Sequence, residues 1–146
     1  GLATTHRNRF TDQIDRLEMP FATLVHPSAR VSASARLGDG CIVSAGAIIS
    51  AYSKLGRGVF VNRAALVGHH TAIGDLCTLG PGANIAGSCE IENRVYFGIG
   101  SIVIDHISIG RQSMVSAGAL VTKDVPARTM VAGAPARIVK REIDGK

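Results

Sequence analysis

An all-β chain wound as a parallel β-helix is what the sequence predicts, and three observations predict it. Bulky apolar residues return at every sixth position without an insertion: Val25, Val31, Leu37, Val43, Ile49, Leu55, Val61, Val67, Ile73, Leu79, Ile85, Ile91, Phe97, Val103, Ile109, Val115 and Val121. Four residues after each comes one that is never charged and never Leu, Phe or Tyr, as at Ala29, Cys41, Ala47, Ala65 and Ala83. One residue after the bulky position Gly recurs, at Gly38, Gly56, Gly68, Gly74, Gly80, Gly98 and Gly110. A large inward residue, a small inward residue and a corner every six positions describe short strands stacked into a hexapeptide β-helix.

The repeat resembles that of the left-handed hexapeptide solenoids. In that family three hexads make one triangular coil of 18 residues, which implies five to six coils over residues 25–126, stacked at about 4.8 Å. Before the repeat, residues 5–18 read as a short helix. Phe10, Ile14 and Leu17 fall on one face at i, i+4 and i+7, and Pro20 stops it. Residues 1–24 are therefore a capping helix and lead-in, expected to cover the open first coil as terminal caps of solenoids do. After the repeat, Lys123-Asp124-Val125-Pro126 breaks the register and residues 127–146 form a C-terminal tail.

Composition agrees with an aliphatic stack. The chain has 46% hydrophobic and 18% charged residues, yet only four Phe, two Tyr and no Trp. That balance excludes a disordered chain, and no apolar run reaches the length of a membrane span. No secretion signal is visible, so a cytoplasmic setting without membrane attachment is expected. The net charge of +5 suits an anionic ligand such as a phosphate or nucleotide. Nucleic acid is not expected, because no basic cluster is interleaved with aromatic residues. Cys41, Cys77 and Cys89 lack metal-ligand spacing and all occupy the small inward position, so they read as buried thiols. No metal is expected.

The histidines are His6, His26, His69, His70 and His106. Single histidines on such a surface read as corner residues, but His69-His70 is a pair at the third and fourth places of one hexad. Positions 18 apart stack, so this corner carries Ala51-Tyr52 below the pair, then Gly87-Ser88, then Asp105-His106 above it. Gly87 lies directly over His69 and is expected to leave a groove beside the imidazole, about one coil deep.

Residues 61–75, from Val61-Asn62 through Val67-Gly68-His69-His70 to Ile73-Gly74-Asp75, resemble the I-N-x-G-x-x-V-x-H-[DE]-x-x-I-G-[DE] core of the sialic-acid O-acetyltransferase and bacillosamine/perosamine N-acetyltransferase family. FATLVHPSA at 21–29, PGANIAG at 81–87 and FGIGS at 97–101 extend the likeness. The tail from Val131 to Val139 resembles the family's V-x-G-x-P-A-[KR]-x-[IV] ending. The resemblance implies acetyl-CoA as cosubstrate, a sugar or nucleotide-sugar acceptor, N- or O-acetylation, and a homotrimer with sites between adjacent prisms.

It also implies residue roles. His69 is the catalytic base and Asn62 the Asn seven before it. His70 stands where the family has an acidic residue, and a neighbour that can itself become cationic does not raise imidazole basicity as a carboxylate does. Thr78 replaces a second His near the cofactor. Gly87, Ile99, Ala117 and Gly118 fall at positions lining the acetyl-CoA site, where the groove at Gly87 suits a thin pantetheine arm. Arg137 and Lys140, with Arg141, are placed to face the nucleotide phosphates, although the same residues also suit a solvated basic tail. Backbone N–H groups near Gly87 are expected to meet the oxyanion.

Relatives carry an N-terminal Rossmann-like domain with no counterpart here, and Gly1-Leu2-Ala3-Thr4 reads as the end of its last strand. Either the chain is a fragment or its acceptor is recognised differently. Two other readings stay open. One is a solenoid scaffold or binding protein that has lost catalysis. The other is a γ-type carbonic anhydrase, for which His70 and His106 have one of the spacings, but the third ligand position holds Arg111.

Overall fold

The computed structural model describes residues 7–144. Seventeen two-residue strands, β1 (Leu24–Val25), β2 (Arg30–Val31), β3 (Arg36–Leu37) and onward at every sixth residue to β17 (Leu120–Val121), wind into a parallel β-helix of three sheets. Every third strand joins the same sheet. We call the sheets A, B and C after the order in which the chain first visits them. Pairing holds an offset of 18 residues, as in Leu24 against Ile42 and Ile85 against Val103. Within each coil the backbone N–H groups donate to carbonyls of the next, as Ile42 N does to Val59 O at 2.9 Å.

The inward residues are those the period picks out. From Val43 to Val121 every bulky repeat position is buried, and so is every small one from Cys41 to Val125. Phe97, fully buried, is the one ring in this stack. Several polar residues at the small position donate to the corner carbonyl of the following coil, whereas the buried Ser101 hydroxyl has no partner among the described residues. Ser53 Oγ reaches Gly68 O at 2.8 Å, Thr71 Oγ1 reaches Ala86 O at 2.8 Å, and Cys77 Sγ reaches Glu92 O at 3.1 Å. Burial pushes the Cys77 thiol up to about 12 and also raises Cys41 and Cys89, so none of the three is poised as a nucleophile.

Where the sequence breaks register, the offset falls from 18 to 16: Met114 pairs with Met130, and Ile109 bridges to Val125. Sheet A then continues through β18 (Thr129–Gly133), and β19 (Ala136–Arg141) folds back antiparallel along it.

The helix is α1 (Arg7–Arg16), shorter than the predicted 5–18; residues 1–6, with His6 and Gly1-Leu2-Ala3-Thr4, lie outside the described residues. Its placement corrects the expected cap. Leu24 and Val25 of the first coil stay 59% and 45% exposed. Instead α1 lies along the edge where sheet C turns into sheet A. Arg7 Nη1 donates to Gly58 O at 2.9 Å, and Nη2 to Leu76 O, to Cys77 O at 3.1 Å and to Thr78 Oγ1 at 3.0 Å. Burial lowers the affinity of this guanidinium for its proton. Arg57 pairs with Asp15 from the helix and sits 5.4 Å from the Phe21 ring centroid. The inward face is consequently Arg7, Thr11 and Ile14, while Phe10 and Leu17, two residues of the predicted face, remain 60% and 59% exposed. No helix among the described residues is long and apolar enough to cross a membrane.

Candidate functional site

The corner joining sheet B to sheet C places His69 and His70 side by side, both exposed. The turn puts His70 at φ 56°, and the same place in neighbouring coils holds Tyr52, Ser88 and His106 at φ 56–60°. These side chains therefore project as a column along one edge of the prism. The His70 ring sits 4.9 Å from the Tyr52 ring and meets the His69 ring edge-on at 5.3 Å. The two imidazoles are joined Nδ1 to Nδ1 at 3.1 Å.

Gly87 is placed above His69 as the 18-residue register requires, but the space it leaves is not an open groove. A Cβ there would stand 2.7 Å from His69 Cε1 and 2.8 Å from Nε2. The imidazole itself occupies the room the missing side chain provides, which corrects the expected one-coil-deep channel at this point. Gly87 thus serves as a seat for the ring. Its carbonyl accepts from His106 N at 3.1 Å, whereas nothing among the described residues accepts from its N–H. The His69 Nε2 likewise has no hydrogen-bond partner among the described residues.

The other predicted residues lie elsewhere on the same chain. Asn62, Ile99, Ala117 and Gly118 are on the corner joining sheet A to sheet B, one strand away from the histidines. Asn62 Oδ1 accepts from Arg63 N at 2.8 Å. Ile99 and Ala117 help to line a cavity of about 270 Å³ with Pro81, Tyr96, Met114 and Met130. Gly118 sits at φ +65°, and a Cβ on it would meet nothing within 4 Å, so this edge is left open above it. Thr78 is on the outer face of sheet A but only 5% exposed, because Arg7 covers it. Arg137 and Lys140 are exposed on β19, and Arg137 Nη1 turns back to Ala136 O at 3.0 Å.

One chain therefore gathers His69, His70 and Gly87 at one edge, and Asn62, Ile99, Ala117 and Gly118 at another. Tyr52, which the 18-residue register placed below the pair without a role, is the ring that packs against His70. Arg7 left no signal, since its partners are mostly backbone carbonyls. A second cavity, about 330 Å³, adjoins His70 and is lined by Tyr52, Lys54, Thr71 and Glu90. A largely apolar one of about 370 Å³ lies under α1 and contains none of the predicted site residues. Among the described residues no group of three or more His, Cys, Asp or Glu is arranged to hold a metal ion.

The chain is similar to several known proteins. The family described as hexapeptide repeat of succinyl-transferase matches residues 29–51 and 90–123. The structure of PerB from Caulobacter crescentus, solved with CoA and GDP-perosamine, superimposes with a TM-score of 0.93 at 34% identity, over 96% of this chain and 68% of that one. The acetyltransferase domain of PglB from Neisseria gonorrhoeae gives 0.92 at 32% identity over 95% and 68%, and has also been solved with acetyl coenzyme A. Among curated relatives, a 2,3,4,5-tetrahydropyridine-2,6-dicarboxylate N-acetyltransferase of Shouchella clausii is 68% identical over 31 residues, a stretch that spans 21% of this chain and 12% of that protein.

Proposed function

The chain belongs to the hexapeptide-repeat family of sugar acetyltransferases, and from that premise we propose that it moves the acetyl group of acetyl-CoA to the amino group of a nucleotide-linked sugar, with His69 as general base. The observation that carries the reading is the exposed His69 ring resting on Gly87, with no hydrogen-bond partner among the described residues for its Nε2 or for the Gly87 N–H.

The chemistry follows from that arrangement. The acceptor nitrogen attacks the thioester carbonyl carbon while His69 Nε2 takes its proton. The Gly87 N–H donates to the oxyanion as it forms, a role for which a preorganised and unspent donor is suited. Collapse breaks the carbon–sulfur bond, and the imidazolium returns the proton to the departing CoA thiolate. The buried, high-pKa cysteines favour direct transfer over an acyl-enzyme.

The two separated edges support a homotrimer with sites between chains. Sheet B lies between them and carries Ile48 and Ile102 outward, 40% and 44% exposed, whereas sheet C presents Arg36, Lys54 and Glu90 to water. An assembly that packs sheet B against its neighbours sets the His69 edge of one chain beside the edge bearing Asn62, Ile99, Ala117 and Gly118 on the next, with Arg137 and Lys140 close by for the phosphates. On this reading Thr78, closed off by Arg7, contacts no cofactor.

The test is acetyl-CoA titration by calorimetry, sedimentation equilibrium, and a screen of GDP- and UDP-linked amino sugars read by free thiol. Binding at one site per chain, a trimer, and transfer that disappears in His69→Ala are expected. A monomer, or a scaffold that does not bind acetyl-CoA, would reject the reading.

A further inference from the structure

The contact between the two histidines has a consequence for which nitrogen of His69 is basic. An imidazole Nδ1 facing another imidazole Nδ1 at 3.1 Å holds a hydrogen bond only if one nitrogen carries a proton and the other a lone pair. Two arrangements satisfy this. If His69 donates, its Nε2 is a lone pair and can act as a base. If His70 donates, His69 accepts at Nδ1, its Nε2 carries the proton, and it cannot. The choice made by His70 therefore decides whether His69 is a base at all.

We infer that His70 is a positioning residue that accepts from His69 Nδ1–H and so fixes the Nε2-basic tautomer, with the Tyr52 ring packed against it at 4.9 Å and a 32° tilt to limit its movement. This rests on the reading of His69 as the base. The surroundings of His70 favour the same arrangement. Its ring borders the cavity of about 330 Å³ that Glu90 also lines, so a carboxylate shares the cavity as an acceptor for an Nε2–H, and a His70 protonated on Nε2 presents Nδ1 as the acceptor. The ionisable groups around the pair are Tyr52, Lys54 and Glu90 at that cavity, and Asp105 with His106 two coils on, whose own contact is 3.7 Å. Lys54 partly opposes Glu90, and among the described residues no carboxylate touches either ring directly. His70 thus performs the orienting half of the work an acidic residue would do, without its negative charge.

Asn is the substitution that isolates this role. Its Oδ1 accepts from an N–H, it carries no titratable proton, and it tolerates the positive φ of this turn. The experiment is long-range 1H–15N correlation on the histidine rings of the intact protein, wild type against His70→Asn and His70→Ala, with circular dichroism as the fold control. In wild type and in His70→Asn, His69 shows a pyrrole-type Nδ1 and a pyridine-type Nε2. In His70→Ala the two types average or exchange places. With GDP-perosamine as trial acceptor, His70→Ala lowers kcat at least about tenfold while KM for acetyl-CoA holds, and His70→Asn recovers most of that loss. A wild-type His69 protonated on Nε2, or a His69 spectrum unchanged in a folded His70→Ala, overturns the inference. Because the spectrum is read without any acceptor, a failure to acetylate GDP-perosamine counts against the proposed acceptor and leaves the tautomer result standing.

Discussion

Replacing Gly87 by Ala separates activity from stability in a way that tests the geometry of the site. Gly87 is not at positive φ, so the backbone accepts a Cβ. The new carbon would stand 2.7 Å from His69 Cε1, and the ring must retreat by about 0.7 Å to regain an ordinary carbon contact. The cost in stability is small. Forcing one exposed imidazole off its preferred rotamer costs about 0.5–1.5 kcal/mol, offset by about 0.4–1 kcal/mol from the stiffer unfolded chain. With His69 as the proposed base, the cost in rate is large, because a misplacement approaching 1 Å at a reacting group is worth on the order of 100-fold, or about 2.7 kcal/mol of barrier. Urea unfolding should therefore move by less than about 1 kcal/mol while kcat/KM, followed by thiol release with the acceptor found in the screen, falls about 100-fold. A Gly87→Ala enzyme with wild-type kcat/KM would refute the seat. So would a variant whose activity falls only in proportion to lost folded protein.

Other expectations come from the same contacts. Phe97→Ala should cost about 3–5 kcal/mol in denaturant unfolding, since the ring is fully buried between Leu79 and Val115 in the stack; a loss under about 1 kcal/mol would show that the coils close around the gap. Arg7→Ala removes four hydrogen bonds and should cost about 1–3 kcal/mol, with faster amide exchange across α1 and unchanged exchange in the solenoid; unchanged exchange in α1 would mean Asp15–Arg57 and the apolar face suffice to dock it. Cys41, Cys77 and Cys89 should resist a thiol reagent at pH 8 in the native protein and all react after unfolding; fast native labelling of any of them would contradict the inward stack. The Cys77 thiol also gives stability a sign with pH. The unfolded chain releases this proton near its ordinary value of 9.0 and the folded chain holds it to about 12, so stability falls as pH rises between those values. A stability that is flat or rising over that range would exclude the assignment.

How much of this was legible in the sequence differs by element, and the reason is physical. Residues facing the interior are constrained by volume in every coil, so the period alone placed Val43 to Val121 inward and marked Phe97 as the one ring. The offset of 18, implied by the likeness to the left-handed hexapeptide solenoids, likewise placed Gly87 over His69. Side-chain direction is not part of that arithmetic. The sequence showed a missing side chain at Gly87, and whether the space became a channel or a seat depended on the rotamer of His69. The register break at Lys123–Pro126 could be seen, but not that the offset would drop to 16, which follows from how the chain re-enters sheet A.

The helix marks the opposite limit. Phe10, Ile14 and Leu17 define a face by spacing, yet a ten-residue helix gains little from its own hydrogen bonds and takes whichever orientation its tertiary contacts favour. Arg7 found backbone carbonyls of Gly58, Leu76 and Cys77, acceptors that carry no residue identity, and the helix rotated to bury Arg7, Thr11 and Ile14. The sequence by itself determined what repeats: the three sheets, the aliphatic interior and the column of Tyr52, His70, Ser88 and His106 along one edge. Only the tertiary structure decided the contacts that occur once, the Arg7 dock over Thr78, the His69 ring on Gly87 and the Nδ1-to-Nδ1 contact of His69 with His70. A periodic interaction is written into many residues at once, whereas a single contact depends on where two otherwise unrelated groups come to rest.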